Sequence, residues 1–462
     1  MRYFLSLIIL LLSLSICQAQ NEALVIKDIQ VIGNKKTKTN IVLRELDFRI
    51  GDTIDFRLFS EIVELNQLLL INTNLFNKAD FVATYPTDDE IVFTITVVED
   101  WYIFPLIGVD LADRNFNVWW VEQNHALNRL DIGLHLIHNN FTGRKDYGRL
   151  VTEFGYTQRL QFEYRRPYIN EAQTIGFYAN AYVGRNREIG YQVVDDTLRF
   201  KRLDDEFAMQ RGIGEVEFQY RPALWAKHKV RLSYNDYSVS DSITALNPDF
   251  FLNGAQRQQF FTLNYNFLYD RRDLKRYPLN GYFVQVDVLK EGLGIFDQIN
   301  SLYLSAAYGK YWQAKKWSWS LDLKARKGLI QDKQPYYNSR ALGYENDFIR
   351  GYEYFVIDGQ DYAYAKGMMR YELFNRTFQL GKWMPIKAFK ELPFKIYSKI
   401  YTEHGYVNAP FYSEGNSLNN SYLRSAGTGI DFVLYHDFVF RYEYSVNHLG
   451  QKGLYLHFDF IF

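Results

Sequence analysis

From about residue 125 to its end, the chain alternates apolar with polar residues in segments of eight to fourteen residues, separated by turn-forming residues. A period of two predicts β-strands whose two faces differ in polarity, and helical periodicity is nearly absent from this region. The last segment alternates most regularly. Its apolar face carries Leu454, Leu456, Phe458, Phe460 and Phe462. The pattern therefore predicts a long series of antiparallel strands.

The composition indicates what these apolar faces contact. Aromatic residues make up 18% of the chain (37 Tyr, 36 Phe and 8 Trp), yet the mean hydropathy is only -0.29. A barrel in an outer membrane turns such faces to lipid and places aromatic residues at both membrane interfaces. At about 21 residues per strand and connection, we predict an antiparallel transmembrane β-barrel of about 16 strands. Barrels of about 12 or 14 strands with longer loops are the alternatives.

The first 19 residues have the pattern of a secretory signal peptide. A basic start precedes an apolar run over residues 3–14, and cleavage after Ala19 fits the small-residue rule. A lipoprotein, with Cys17 as the acylated residue, is disfavoured by Ile16, where a small residue is expected. Cys17 is the only cysteine, which excludes disulfide scaffolds and cysteine-built metal clusters. After the signal peptide, no apolar run reaches the roughly 18 to 20 residues of a membrane-spanning helix.

The region that follows the signal peptide has the mixed pattern of a small α+β domain. A β-branched run over residues 25–32 predicts a strand, and Thr39 and Asp55 can cap two helices. In the second helix, one apolar stripe would be formed by Leu58, Ile62, Leu65 and Leu69. Two alternating runs, 79–85 and 91–97, predict two further strands.

The order strand, helix, helix, strand, strand resembles the polypeptide-transport-associated (POTRA) domain over residues 20–100. The resemblance is carried by Ile29-Gln30-Val31-Ile32-Gly33-Asn34, Gly51, Asn74-Leu75-Phe76 and Val97-Val98-Glu99. The alternative is that these residues form a small α+β domain of another kind. The resemblance implies that this domain binds extended client segments by pairing them onto an exposed sheet edge. Residues 101–124 would then be a linker or the lead into the first strand, and residues 125–462 the barrel.

Four stretches of the barrel region resemble the BamA-type outer-membrane assembly and translocation superfamily, in the family's order. They are Asn139-Asn140-Phe141-Thr142-Gly143-Arg144; Tyr269-Asp270-Arg271-Arg272-Asp273, continued by Tyr277-Pro278 and Gly281-Tyr282; Phe348-Ile349-Arg350-Gly351-Tyr352; and Tyr401-Thr402-Glu403-His404-Gly405 with Ser425-Ala426-Gly427-Thr428-Gly429. The third stretch is the most specific, because it matches the hydrophobic-Arg-Gly-aromatic tip of the family's sixth extracellular loop.

That third stretch lies in a long segment without strand character, residues 331–363. In the family this loop folds back into the barrel, where its arginine meets carboxylates on the wall. The resemblance therefore implies a loop anchor made of Arg350, Gly351 and Tyr352. Strand alternation turns Glu403 and Asp431 to the inside of the barrel, so both are candidate partners. Which of them takes the arginine stays open.

No arrangement of residues typical of catalysis or metal binding stands out in the sequence. His135 and His138 are three residues apart, which places them on opposite faces of a strand and disfavours a shared metal. The 53 basic and 53 acidic residues cancel, so the chain lacks the basic excess of nucleic-acid-binding proteins. We therefore expect a protein without enzymatic activity, metal or other cofactor, and without a nucleic-acid partner.

The resemblance implies an outer-membrane protein, with its N-terminal domain in the periplasm, that acts in insertion of outer-membrane proteins or in polypeptide translocation. Its partners would be unfolded client polypeptides and outer-membrane lipid, with periplasmic chaperones or accessory lipoproteins as further candidates. The family's mechanism uses a weakly closed seam between first and last strands, here residues 454–462. The terminal Phe462 resembles the terminal recognition signal of outer-membrane barrels. A dedicated secretion translocator and a passive porin or structural barrel anchored by a POTRA domain are the alternatives.

Overall fold

The computed structural model describes residues 23–296, 298–344, 347–384, 390–435 and 438–459. The predicted signal peptide, residues 1–19, lies outside these ranges. The chain divides into two units, Met1–Asp100 and Trp101–Phe462. In the described part of the chain, no helix combines the length and the apolar character needed to cross a lipid bilayer.

The N-terminal unit is a mixed sheet with helices between its strands. Its elements are β1 (Ala23–Ile32), α1 (Thr39–Arg44), β2 (Thr53–Asp55), α2 (Phe59–Ile71), β3 (Phe76–Thr87) and β4 (Glu90–Glu99). The sheet order is β2-β1-β4-β3, with β1 parallel to β4 and the other pairs antiparallel. The chain order agrees with the predicted strand, helix, helix, strand, strand except that β2, a strand of three residues, lies between the two helices. The helices supply the long crossover that the parallel pair of β1 and β4 needs.

The apolar stripe predicted for the second helix is only partly correct. Leu58 precedes α2 in a 3-10 turn and is exposed, and the buried side chains of α2 are Asn66 and Leu70. Asn66 tolerates burial because both ends of its amide are hydrogen-bonded. Its Oδ1 accepts from the Asp47 backbone N–H (2.8 Å), and its Nδ2 donates to the Ile62 carbonyl (2.7 Å). Because the residue at the centre of the buried face is polar, the pattern of apolar residues does not identify this face.

The C-terminal unit is an antiparallel sheet of 16 strands, which confirms the predicted fold class and strand number. The strands are β5 (Ile103–Leu111), β6 (Leu130–Asn139), β7 (Tyr147–Gly155), β8 (Thr157–Arg166), β9 (Ile175–Asn186), β12 (Met209–Tyr220), β13 (Ala226–Val239), β14 (Arg257–Asp270), β15 (Gly281–Glu291), β16 (Ser301–Ala314), β17 (Trp317–Gly328), β20 (Asp361–Gln379), β21 (Glu391–Asn408), β22 (Tyr422–Leu434), β23 (Phe438–Asn447) and β24 (Lys452–Asp459). The connections hold two small hairpins and a short helix: β10 (Glu188–Val194) with β11 (Thr197–Arg202), β18 (Arg340–Leu342) with β19 (Ile357–Asp358), and α3 (Asp241–Leu246).

The barrel begins earlier than the predicted residue 125. Its first strand, β5, lies within residues 101–124, which we expected to be a linker or the lead into the first strand. Pro105 removes one backbone donor from this strand and makes it hard to recognise in the sequence. The proline is tolerated because β5 lies at one end of the described sheet. The connection from β5 to β6 contains a π-helical turn, Val118–Glu122.

The two faces of the barrel wall differ in polarity. On β6, Ile132 and Leu134 are exposed on the outer face, whereas Asp131 and His135 are buried on the inner face. Alternation along β17 likewise places Leu321 outside. An apolar outer face matches the hydrocarbon core of a bilayer, and the polar inner face lines the lumen.

A long loop, residues 329–360, joins β17 to β20 and nearly coincides with the predicted 331–363. It packs against the barrel through a cluster of buried side chains. These are Ala341, Leu342, Ile349, Tyr352 and Ile357 of the loop, with Tyr362, Val407, Leu418 and Leu423. The loop is therefore a folded insert with a hydrophobic core rather than an open connection.

Introducing one charged residue tests whether the outer face contacts lipid. Leu321→Arg would place a guanidinium in hydrocarbon and should destabilise the folded barrel by about 2–4 kcal/mol. The control, Leu127→Arg, alters a leucine that is 76% exposed in the connection before β6, and should cost less than about 0.5 kcal/mol. Urea unfolding in lipid vesicles, followed by the gel mobility of unheated samples, measures both changes. Equal losses would contradict the assignment of Leu321 to the lipid face.

Candidate functional site

The tip of the long loop reaches the inner face of strands β21 and β23 through Arg350. Its guanidinium contacts two wall carboxylates: Nε donates to Glu403, and Nη1 donates to Glu443 Oε1 at 2.7 Å. The Arg350 backbone N–H also donates to Glu403 Oε2, at 2.8 Å. All three residues are buried. Arginine suits this position because its planar fork can bind two carboxylates at once and keeps its charge.

A second buried cation, Lys399 of β21, lies in the same network. Its Nζ is 2.5 Å from Asp431 Oδ1 and 2.6 Å from Glu443 Oε1. Asp431 also accepts a hydrogen bond from the Tyr277 hydroxyl, at 2.7 Å. Asp431, one of the two candidate partners from the sequence, is therefore held by Lys399 and Tyr277 rather than by Arg350.

Tyr401 of β21 supports the loop arginine from the wall. The Arg350 guanidinium carbon lies 3.8 Å from the centroid of the Tyr401 ring, a cation–π distance. The Tyr401 hydroxyl is hydrogen-bonded with Ser445 Oγ at 2.6 Å. Gly427 leaves the space for this hydroxyl, since a Cβ there would overlap it. The wall thus fixes the guanidinium by shape as well as by charge.

Gly351 and Tyr352 complete the contact of the loop tip with the wall. Gly351 has a φ of 88°, in the left-handed region, and an added Cβ would lie 3.2 Å from the Ser445 Cβ. Asn447 Nδ2 donates to the Gly351 carbonyl at 2.8 Å. The Tyr352 hydroxyl donates to the Arg424 carbonyl at 2.9 Å. Each of the three predicted anchor residues of the loop therefore contacts the wall.

Burial and charge shift the pKa values at the loop tip. Burial lowers the pKa of the Arg350 guanidinium, but Glu403 and Glu443 raise it by more, so the net shift is upward. Burial also raises the pKa of Glu353 well above its usual value. Glu353 Oε2 accepts the Gly351 backbone N–H at 2.8 Å. The tip combines a permanently charged arginine with a buried carboxyl group whose pKa is raised.

The predicted seam residues belong to the last strand, β24. Leu454 and Phe458 are exposed on its outer face, while Tyr455 is buried on its inner face. Alternation places Leu456 with the outer residues, and Phe460 and Phe462 lie outside the described residues. Among the described strands, the backbone ladder does not join β24 to β5.

His457 links the last strand to the loop anchor. Its Nδ1 lies 2.7 Å from Glu443 Oε2, within hydrogen-bonding distance. Its ring stacks on Phe348 of the loop, with the centroids 5.3 Å apart. The same glutamate therefore binds the loop arginine, a wall lysine and the last strand.

Sequence reasoning assigns no role to Lys399, Glu443 or His457. Alternation places each of them on an inner face, and Lys399 shares its face with Glu403. The sequence could therefore have identified these residues as inward-facing charges, each of which needs a partner of opposite sign. What the sequence lacks is the register that brings these charges together.

A separate polar cluster has the spacing of metal ligands. Within the described residues, potential ligand atoms of Asp110, His135 and Glu153 lie within 4.8 Å of one another. However, the Arg159 guanidinium pairs with Glu153 and lies 3.9 Å from Asp110 Oδ2. Arg159 thus supplies the positive charge that a metal ion would bring. His138, which the sequence places on the opposite face from His135, is not part of this group.

Comparisons with known proteins agree with this architecture. Residues 24–100 match the family model for POTRA, described as surface antigen variable number repeat. BamA from Haemophilus ducreyi lacking POTRA domains 1-3 has a similar structure, with a TM-score of 0.51 and 11% identity over 94% of this chain and 84% of that chain. Among curated protein sequences, no significant match is found.

Two CdiB structures are also similar. CdiB from Escherichia coli has a TM-score of 0.56 and 10% identity, over 94% of this chain and 75% of that chain. CdiB from Acinetobacter baumannii has a TM-score of 0.50 and 13% identity, over 95% and 73%. The similarity to these structures is one of fold: in this chain, a domain that matches the POTRA model is followed by an antiparallel barrel of 16 strands.

If Arg350 anchors the loop, removing this buried cation should cost much more stability than removing the cation of an exposed ion pair in the same loop. Arg350→Ala removes the cation paired with the buried Glu403 and leaves Glu443 to Lys399 and His457, and should destabilise the barrel by about 3–5 kcal/mol. Lys333→Ala, in the same loop, breaks an exposed pair with Asp249 (2.6 Å) and should cost at most about 1 kcal/mol. Urea unfolding of both variants in lipid vesicles makes the comparison. A loss for Arg350→Ala no larger than that of its control would rule out the anchor.

Gly351 can be tested against a glycine with similar backbone geometry. Gly415 has a φ of 74° and no atom within 4 Å of an added Cβ. Gly415→Ala should therefore lose only about 1 kcal/mol, from backbone strain. Gly351→Ala should lose a further 1–3 kcal/mol, approximately, because its methyl group presses on the wall. Urea unfolding measures both losses, and equal values would show that the loop tip does not pack tightly at Ser445.

Proposed function

We propose that this protein inserts β-barrel polypeptides into the outer membrane or transfers polypeptides across it. The observation that carries the proposal is the buried contact of Arg350 with Glu403 and Glu443, which fixes the long loop inside the barrel beside its last strands. The POTRA domain and the fold shared with BamA and CdiB support it. In this proposal the barrel lies in the outer membrane and the POTRA domain in the periplasm.

The anchored loop argues against a passive pore. A pore needs a continuous aqueous path, whereas here the loop tip and the carboxylates that it binds are withdrawn from water. Arg350 is 8% exposed and Glu403 is fully buried. Detaching the loop from the wall would break this network, and an uncompensated buried charge is costly.

The ends of the sheet provide an interaction that suits polypeptide clients. A strand at the end of a sheet has backbone N–H and C=O groups that can pair with an incoming strand. Among the described strands, β5 and β24 are the two ends. Backbone pairing depends little on side chains, so it can serve clients of different sequence.

Unfolded outer-membrane polypeptides and lipid are the proposed partners. Periplasmic chaperones or accessory lipoproteins would deliver clients to the edge of the POTRA sheet. Strand pairing needs no covalent chemistry, so we propose that the protein is not an enzyme.

A photo-crosslinking amino acid at Leu454, which is exposed on the last strand, tests the function in living cells. We expect it to capture unfolded or nascent outer-membrane barrels. The control position, Leu323, is exposed on the outer face of β17 and should capture none, since it is far along the sheet from the seam. Depletion of the protein should also lower the amounts of other barrels in the outer membrane.

Other results would point elsewhere. Capture of a secreted polypeptide at Leu454, with an unchanged set of outer-membrane barrels, would identify a dedicated secretion translocator. Equal labelling at Leu454 and Leu323, together with altered solute uptake on depletion, would identify a porin and contradict the proposal.

A further inference from the structure

The connection between β5 and β6 binds the last strand through one side chain. The Leu456 backbone N–H donates to Asn117 Oδ1 at 2.8 Å, and Asn117 Nδ2 donates to the Leu456 carbonyl at 3.1 Å. Asn117 is buried, with 4% of its surface exposed. A side-chain amide carries the same donor and acceptor as a peptide group. Asn117 therefore reproduces the pair of hydrogen bonds that a residue of a neighbouring antiparallel strand would make.

These bonds lie on the outer edge of β24, which is the edge that does not pair with β23. The other edge of the strand is occupied by β23, with Leu456 opposite Tyr442. In an antiparallel ladder, the N–H and C=O of one residue point to the same side. Since Asn117 takes both groups of Leu456, it occupies the place at which an additional strand would pair.

Aromatic contacts hold Asn117 in this position. The ring of Phe116 packs edge-to-face on Phe458 of the last strand, with the centroids 5.5 Å apart. Phe116 also stacks on Trp120, at 5.6 Å. Trp120 belongs to the π-helical turn that follows Asn117, and such turns are frequent at functional sites.

The same connection also binds the long loop. Arg114 Nη2 and Asn115 Nδ2 both donate to the Glu353 carbonyl, at 3.2 and 3.0 Å. Glu353 follows the loop tip and contacts Gly351 through its own side chain. Residues 114–120 therefore bridge the loop tip and the outer edge of the last strand.

We propose that residues 114–120, here called the clasp, close the edge of the last strand and must be displaced before another strand can pair there. The closing of the edge stands on the contacts above, whereas its role in strand addition rests on the proposed function. Because the clasp also holds the Glu353 carbonyl, movement of the loop tip would loosen Asn117. The clasp would thus open the edge when the loop leaves its anchor.

Hydrogen–deuterium exchange of the full-length protein in lipid nanodiscs, read on residues 452–459, tests the clasp. Asn117→Leu keeps the size of the side chain and removes both hydrogen bonds, so we expect about tenfold faster exchange at Leu456. Asn117→Asp keeps the acceptor but cannot donate, and we expect about threefold faster exchange at Leu456. The control, Asn128→Leu, alters an exposed asparagine of the same connection and should leave the exchange unchanged.

A fluorescent peptide that copies residues 103–111, the first strand, measures strand addition separately. We expect at least about fivefold more peptide bound to Asn117→Leu than to the unaltered protein, because its edge is free. Faster exchange without added peptide binding would support the clasp and contradict the proposed function. Unchanged exchange in both Asn117 variants, each verified as folded by its gel mobility, would overturn the clasp.

Discussion

A carboxylate buried in the wall of a barrel must be matched by a cation, and this requirement organises the interior of the protein. Glu403, Asp431 and Glu443 are almost fully buried on the inner faces of three neighbouring strands. Lys399 of the wall lies between Asp431 and Glu443, and Arg350 of the long loop binds Glu403 and Glu443. The wall therefore needs the folded loop for its charge balance, and the loop needs the wall as its binding site.

The charge network also reaches the last strand. Glu443 binds His457 of β24 in addition to the loop arginine, and the clasp holds both the Glu353 carbonyl and Leu456. Side chains that share partners in this way are energetically coupled, so a change at one of them alters the free energy of the others. These contacts therefore connect the loop anchor to the sheet edge, although the two lie on different strands.

The sequence predicts those features that depend on neighbouring residues. Alternation identifies the strands and assigns Glu403 to the inner face, because the direction of a side chain is a local property of a strand. It overlooks β5, where Pro105 interrupts a short strand at the end of the sheet. It also cannot show that Glu443 lies close to Arg350. That contact depends on the pairing of β21, β22 and β23, and this register is set by the whole sheet.

Two glycines of the late-strand motifs leave space for the loop tip and for the wall tyrosine that supports it. A Cβ at Gly405 would overlap the side chain of Ile349, and one at Gly427 would overlap the hydroxyl of Tyr401. Ile349 directly precedes Arg350, and Tyr401 lies against its guanidinium. A larger residue at either glycine would push the arginine away from Glu403, which would then be buried without its paired cation. The loop motif and the strand motifs are therefore the two sides of a single contact, and each accounts for the other's small residues.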